Sequence, residues 1–222
     1  MRIAKVIGLS FSFLSLGLAA VAQDAKPATP AASTAPAGEK IYPLDTNHST
    51  IGFAAPILGM SEVTGKFTDF TGRIVVPDET DLTKANVEVV IKTASINSGI
   101  ADRDKHLRTA DFFDAEKYPE ITFKSSAIFP KADGHYTVSG DLTIREVTRP
   151  VSFDVELLGT AANGQGGLHL GAAATLTIDR TDFGLTWNMP IPNGVLVGDK
   201  VKIQVDLEAI DEASAKTRGL AA

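Results

Sequence analysis

The chain has no cysteine among its 222 residues. That excludes disulfides, thiolate metal sites and Cys-based redox motifs, so an exported form has to be held by its core alone. Basic residues are in deficit, 21 against 27 acidic, for a net charge of −6. Such a surface disfavours nonspecific binding to nucleic acid or to anionic headgroups. Histidine is sparse: His48, His106, His135 and His169 lie far apart, with no H-x-x-x-H or H-x-H spacing. A zinc site would have to be assembled by the fold, and neither a metal nor another cofactor is expected. G-x-S-x-G, P-loop and dinucleotide fingerprints are missing. Gly164-Gln165-Gly166-Gly167 lies between strand patterns and reads as a loop. Beyond residues 6–20, no apolar run approaches the roughly twenty residues that a transmembrane helix needs.

What is present begins with that run. Arg2 and Lys5 precede it, and Ala20-Val21-Ala22 closes it. This is the pattern of a secretory signal over residues 1–22, with cleavage expected after Ala22. Its removal takes two positive charges and shifts the net charge from −6 to −8. Residues 23–40, rich in Ala, Pro, Thr and Ser, read as a disordered tether. The folded domain is expected over residues 41–211, large enough for one sizeable core, and residues 212–222 as a flexible tail.

Within the domain, period-two alternation recurs. Val87, Val89 and Ile91 share a face, as do Ile121, Phe123, Ser125, Ala127 and Phe129. Tyr136, Val138, Gly140, Leu142 and Ile144 form another row. So do Val151, Phe153, Val155 and Leu157; Ala172, Ala174, Leu176 and Ile178; and Val201, Ile203, Val205 and Leu207. Eight or nine strands joined by short turns such as Ala132-Asp133-Gly134 and Pro192-Asn193-Gly194 predict an all-β antiparallel fold, closed into a barrel or stacked as a sandwich. Small inward residues, among them Gly52, Gly72, Gly140, Ala172 and Ala174, leave room inside a barrel. The nine phenylalanines of the domain, with Trp187, suit an apolar cavity.

One stretch breaks the β pattern. Residues 101–114 predict a short inserted helix, with Asp102 able to cap it, followed by Asp111-Phe112-Phe113-Asp114. Asp104, His106 and Arg108 could serve acid–base work. However, residues two apart on a helix face different ways, so Asp104 and His106 are poorly placed for each other. The balance favours a structural frame, with Leu107, Phe112 and Phe113 closing one end. Asp179-Arg180-Thr181-Asp182 is either an anion grip or, more often, a salt-bridged strand end.

Several motifs in order carry a family resemblance. They begin with Leu44-Asp45-Thr46-Asn47-His48-Ser49 and Ile51-Gly52-Phe53, then Val63-Thr64-Gly65-Lys66-Phe67 and Ser95-Ile96-Asn97-Ser98-Gly99. Arg103-Asp104-Lys105-His106-Leu107-Arg108, Asp111-Phe112-Phe113-Asp114 and Tyr118-Pro119 follow. Gly140-Asp141-Leu142-Thr143-Ile144, Val147-Thr148-Arg149-Pro150-Val151, Ile178-Asp179-Arg180 and Val197-Gly198-Asp199 complete the series. Over residues 41–211 the chain resembles the YceI-like family, exported lipid-binding proteins with an extended lipocalin-like barrel. One departure is Glu146, where the family usually has glycine in a turn. The resemblance implies a barrel of about eight strands and a periplasmic location. It also implies a possible homodimer, no catalytic residues, and a bound long-chain amphiphile: a polyisoprenoid, a prenyl quinone or a fatty amide. The expected apolar lining is Phe53, Phe70, Val89, Phe112, Phe113, Phe123, Leu142, Phe153, Leu176 and Trp187. Two other readings stay open: a hydrolase or transferase acting on an isoprenoid, and a cavity-free, stress-related interaction module.

Overall fold

The computed structural model describes residues 39–162, 168–192 and 194–219. The expected signal and nearly all of the tether lie outside these residues. Among the described residues, thirteen strands and two short helices form in the order β1 (Lys40–Pro43), β2 (Thr50–Ile57), β3 (Ser61–Phe67), β4 (Phe70–Val76), β5 (Asn86–Lys92), β6 (Ile96–Asn97), α1 (Ala101–Leu107), β7 (Glu120–Pro130), β8 (His135–Ile144), β9 (Val147–Ala162), β10 (Leu168–Asp179), β11 (Pro190–Ile191), β12 (Gly194–Val195), β13 (Lys200–Ile210) and α2 (Glu212–Arg218). No helix among them is long and apolar enough to cross a membrane.

Eleven strands make one antiparallel, strongly curled sheet, ordered β1-β4-β5-β7-β8-β9-β10-β13-β2-β3-β6. The eight or nine strands expected are exceeded, because β3 and the two-residue β6, which alternation did not reveal, add to the sheet beyond β2. At one end of the sheet the chain after β1 crosses to β13. Leu44 bridges Ala209, and the Asp45 N–H donates to the Glu208 carbonyl at 2.7 Å. β11 and β12 form a separate small hairpin.

The alternation is realised where strands are regular. On β13, Val201, Ile203, Val205 and Leu207 are half-buried and pack against the core, whereas Lys202, Gln204 and Asp206 are exposed. It fails on β7. A register shift between Ser125 and Ala127 adds one residue against β8. A bulge moves every later side chain to the other face. Ile128 therefore packs against the core and Phe129, expected inside, is 56% exposed.

Two local expectations are corrected. Residues 212–222, expected as a loose tail, begin with α2. The Asp211 side chain accepts the Ser214 N–H at 3.1 Å as its cap, and Ala215 is fully buried. The inserted helix is shorter than residues 101–114. It ends at Leu107, its N-cap is Ile100 without a side-chain bond, and residues 109–117 are mostly turns. Asp102 therefore does not cap it. Asp104 instead reaches back to Ser98, accepting its N–H at 2.7 Å and its hydroxyl at 2.5 Å.

Candidate functional site

The inward rows enclose a cavity of about 430 Å³. Phe53 on β2, Val89 on β5, Phe123 on β7, Leu142 on β8, Phe153 on β9 and Leu176 on β10 line its wall. Phe112, Phe113 and Trp187 line it from the connections after α1 and β10. Phe70 does not. It starts β4 and is buried in the core at 5% exposure, while Ile74, four residues on, takes the place at the wall. The wall also includes the β13 row from Val201 to Leu207, whose alternation was visible in the sequence. Leu185, Leu196 and Val197 line it too, from a connection that carries no periodic signal.

The small inward residues divide into two groups. Gly52, Ala172 and Ala174 line the cavity and give it width. Gly140 and Gly72 do not. A Cβ on Gly140 would meet the Lys124 carbonyl oxygen at 2.4 Å and the Phe123 ring at 2.7 Å. A Cβ on Gly72 would meet the Glu88 carbonyl oxygen and Leu44 at 2.7 Å each. These glycines make room for neighbouring side chains and close backbone approaches.

The wall's only polar side chains, among the described residues, are Arg103, His106 and Arg180. None is free to rearrange cheaply. Arg103 donates to the Ser98 hydroxyl and carbonyl, both at 2.7 Å. Arg180, 5% exposed, donates to the carbonyls of Gly198, Leu185, Trp187 and Val197, and to the Asp199 carboxylate at 3.0 Å. It therefore fixes the β10–β13 connection that brings Leu185, Trp187 and Val197 to the cavity. The neighbouring Asp179 caps the turn by accepting the Thr181 N–H at 2.9 Å, and its bonds from the Thr181 hydroxyl and from Lys200 lower its carboxyl to about 2. Of the two sequence readings of this motif, the structure supports the salt-bridged strand end.

His106 stands edge-on to Phe112 and Trp187, with ring centroids 5.1 and 4.9 Å away, and its Nε2 lies 2.8 Å from Asp111 Oδ2. Asp104 and Arg108, the other two candidates for chemistry, are occupied elsewhere. The Ser98 hydroxyl holds the Asp104 carboxyl below the usual carboxylate range. Arg108 donates to the carbonyls of Ala94 and Ile96 at 2.6 and 2.7 Å. The three do not converge on one point. No Ser, Thr or Lys is on the cavity wall among the described residues, so His106 has no side-chain nucleophile there to activate. The arrangement suits an apolar guest with a polar group near His106 and Arg103.

The model of the YceI-like domain family matches residues 42–209. The chain belongs to the YceI-like family. A UPF0312 protein from Vibrio parahaemolyticus is 39% identical over 144 residues, covering 64% of this chain and 76% of its own. The crystal structure of BcnA from Burkholderia cenocepacia superposes with a TM-score of 0.65 at 26% identity, over 74% of this chain and 98% of that one. A YCEI protein from Campylobacter jejuni gives 0.61 at 30% identity, over 71% and 89%. A domain from Saccharophagus degradans described as polyisoprenoid-binding shares the fold, with a TM-score of 0.54 at 17% identity over 76% and 97%.

Proposed function

We propose that the protein is a carrier that holds the apolar chain of an amphiphilic lipid inside the cavity. The ligand class is a polyisoprenoid, a prenyl quinone or a fatty amide. The carrying observation is a cavity of about 430 Å³ whose wall is apolar except for three tethered side chains. That volume falls in the range of roughly 300–1,000 Å³ typical of small-molecule sites. Burial supplies about 0.8 kcal/mol per methylene. Ten methylenes thus contribute about 8 kcal/mol, well above the lower bound of about 4 kcal/mol for lost translational and rotational freedom. Retention then follows chain length, and Arg103 and His106 orient the head group. The description of the Saccharophagus degradans domain as polyisoprenoid-binding agrees with this ligand class. Export to the periplasm, on the signal pattern of residues 1–22, and a possible homodimer belong to the same reading.

The deciding experiment is native mass spectrometry of the mature protein purified without detergent, before and after addition of a prenyl quinone. A co-purifying lipid of defined mass, or one quinone taken up per chain, is expected. No lipid and no uptake refutes the carrier. The isoprenoid hydrolase or transferase reading rests on the His106–Asp111 pair at 2.8 Å. It requires product formation that falls sharply in His106→Ala, whereas the carrier predicts intact ligand and no product.

A further inference from the structure

The four histidines are scattered in sequence, yet the fold brings two of them together with two carboxylates where the chain crosses from β1 to β13. We propose that Asp45, His48 and Glu208 form a binding site for a divalent transition-metal cation of the zinc class. One ligand atom from each lies within 4.8 Å of the others. His48 Nδ1 is 3.0 Å from Asp45 Oδ2 and 3.9 Å from Glu208 Oε1. Zinc–ligand bonds of about 2.0–2.2 Å in a tetrahedron separate ligand atoms by roughly 3.4 Å, so these distances bracket the requirement. Two carboxylates and one imidazole suit a borderline metal that accepts oxygen and nitrogen, and the fourth position is left to water.

The ligands are held in advance. The Asp45 side chain is 1% exposed, and its Oδ1 accepts the Asn47 N–H at 3.0 Å, leaving Oδ2 directed at His48. His169, 17% exposed, lies with Nδ1 2.5 Å from Glu208 Oε1 and donates to it, as outer partners of ligating carboxylates do. Loop and strand are stitched together beneath the site. The Asp45 N–H donates to the Glu208 carbonyl, the Glu208 N–H donates to Ser49 Oγ, and Ser49 Oγ donates back to the Glu208 carbonyl. The His48 side chain is 59% exposed. None of the four residues is on the cavity wall, since Glu208 follows the inward Leu207 on β13. The site is thus independent of the lipid reading. A cation there would clasp the 44–49 loop to β13 where the sheet's first strand meets it, and would raise stability by binding only the folded chain.

The test uses mature, tag-free protein stripped with EDTA and titrated with ZnCl2 by calorimetry, with Co2+ absorption as a second readout. One cation per chain is expected, with a rise in Tm on Zn2+ addition. His48→Gln and Glu208→Gln should each weaken binding by roughly tenfold or more, while His135→Gln leaves it unchanged. Circular dichroism confirms that each variant is folded, and Glu208→Gln keeps the test alive if His48→Gln is not. Failure to saturate at one cation per chain overturns the proposal. So does binding that survives intact in both ligand variants.

Discussion

At Glu146, where the resemblance implies glycine, the chain keeps a tight turn. Ile144 pairs with Val147, so Arg145 and Glu146 form a two-residue hairpin loop, with φ of 53° and 62°. Both lie in the left-handed region, where such loops favour Asn-Gly. Arg145 is anchored there by donating to the Gly184 carbonyl at 2.8 Å and by stacking over Tyr118. A glutamate at positive φ costs on the order of 1 kcal/mol that glycine avoids. Glu146→Gly should therefore stabilise the protein by about 1 kcal/mol, read as a higher urea midpoint at unchanged slope. An unchanged or lower midpoint would show that the turn is not strained. The missing glycine was legible in the sequence. The roles of Gly72 and Gly140 were not, because only the folded chain shows which side chain or carbonyl lies over each of them.

Among the elements, β10 sets the width of the cavity. Ala172 and Ala174 project into it, and Ala174 is flanked by Val155 on β9 and Val205 on β13, both on the wall. A phenyl ring at position 174 has free volume to enter, so Ala174→Phe should fill the cavity rather than break the core. Uptake of a prenyl quinone should fall at least tenfold, with Tm held or raised. Unaltered uptake would place the ligand elsewhere. This row was readable from alternation, as were the regular strands. What escaped the sequence has local causes. One extra residue in β7 turned Phe129 outward, and β6 has two residues, too few for a period. Phe70 shares the inward pattern of β4 but sits at its first residue, off the cavity wall. Leu185 and Val197 are held by the carbonyl bonds of Arg180, an interaction that hydrophobic spacing cannot reveal. The Asp45–His48–Glu208 cluster joins positions about 160 residues apart, beyond the reach of any spacing motif.

For the molecule as a whole, the absence of disulfides leaves stability to the core and to charges, and the charges give it a direction in pH. Asp78, Glu79, Asp81, Glu88, Asp104, Asp154, Asp179 and Asp211 all titrate below their ordinary values in the folded chain. Asp179 falls furthest, to about 2, through its bonds to Thr181 and Lys200. Because these groups hold protons less tightly folded than unfolded, lowering the pH loads the unfolded chain first. Their contribution is complete above the unfolded values of 3.8 for Asp and 4.5 for Glu, and disappears as pH falls towards 2. Each pair is on or near the surface and individually modest, so the effect should be a graded slope and should shrink in high salt. Tyr42 acts at the other limit. Burial, then its bond to Glu79, pushes its hydroxyl above the ordinary 10.0. The unfolded tyrosine therefore ionises first, and its contribution is lost as pH rises past that value. Thermal melts from pH 2 to 11 should give a plateau between about pH 5 and 9, a steady fall in Tm below it and a second fall above it. A Tm that stays flat from pH 5 to 2.5 in low salt would show that these carboxylates are no better placed in the folded protein than in the unfolded chain.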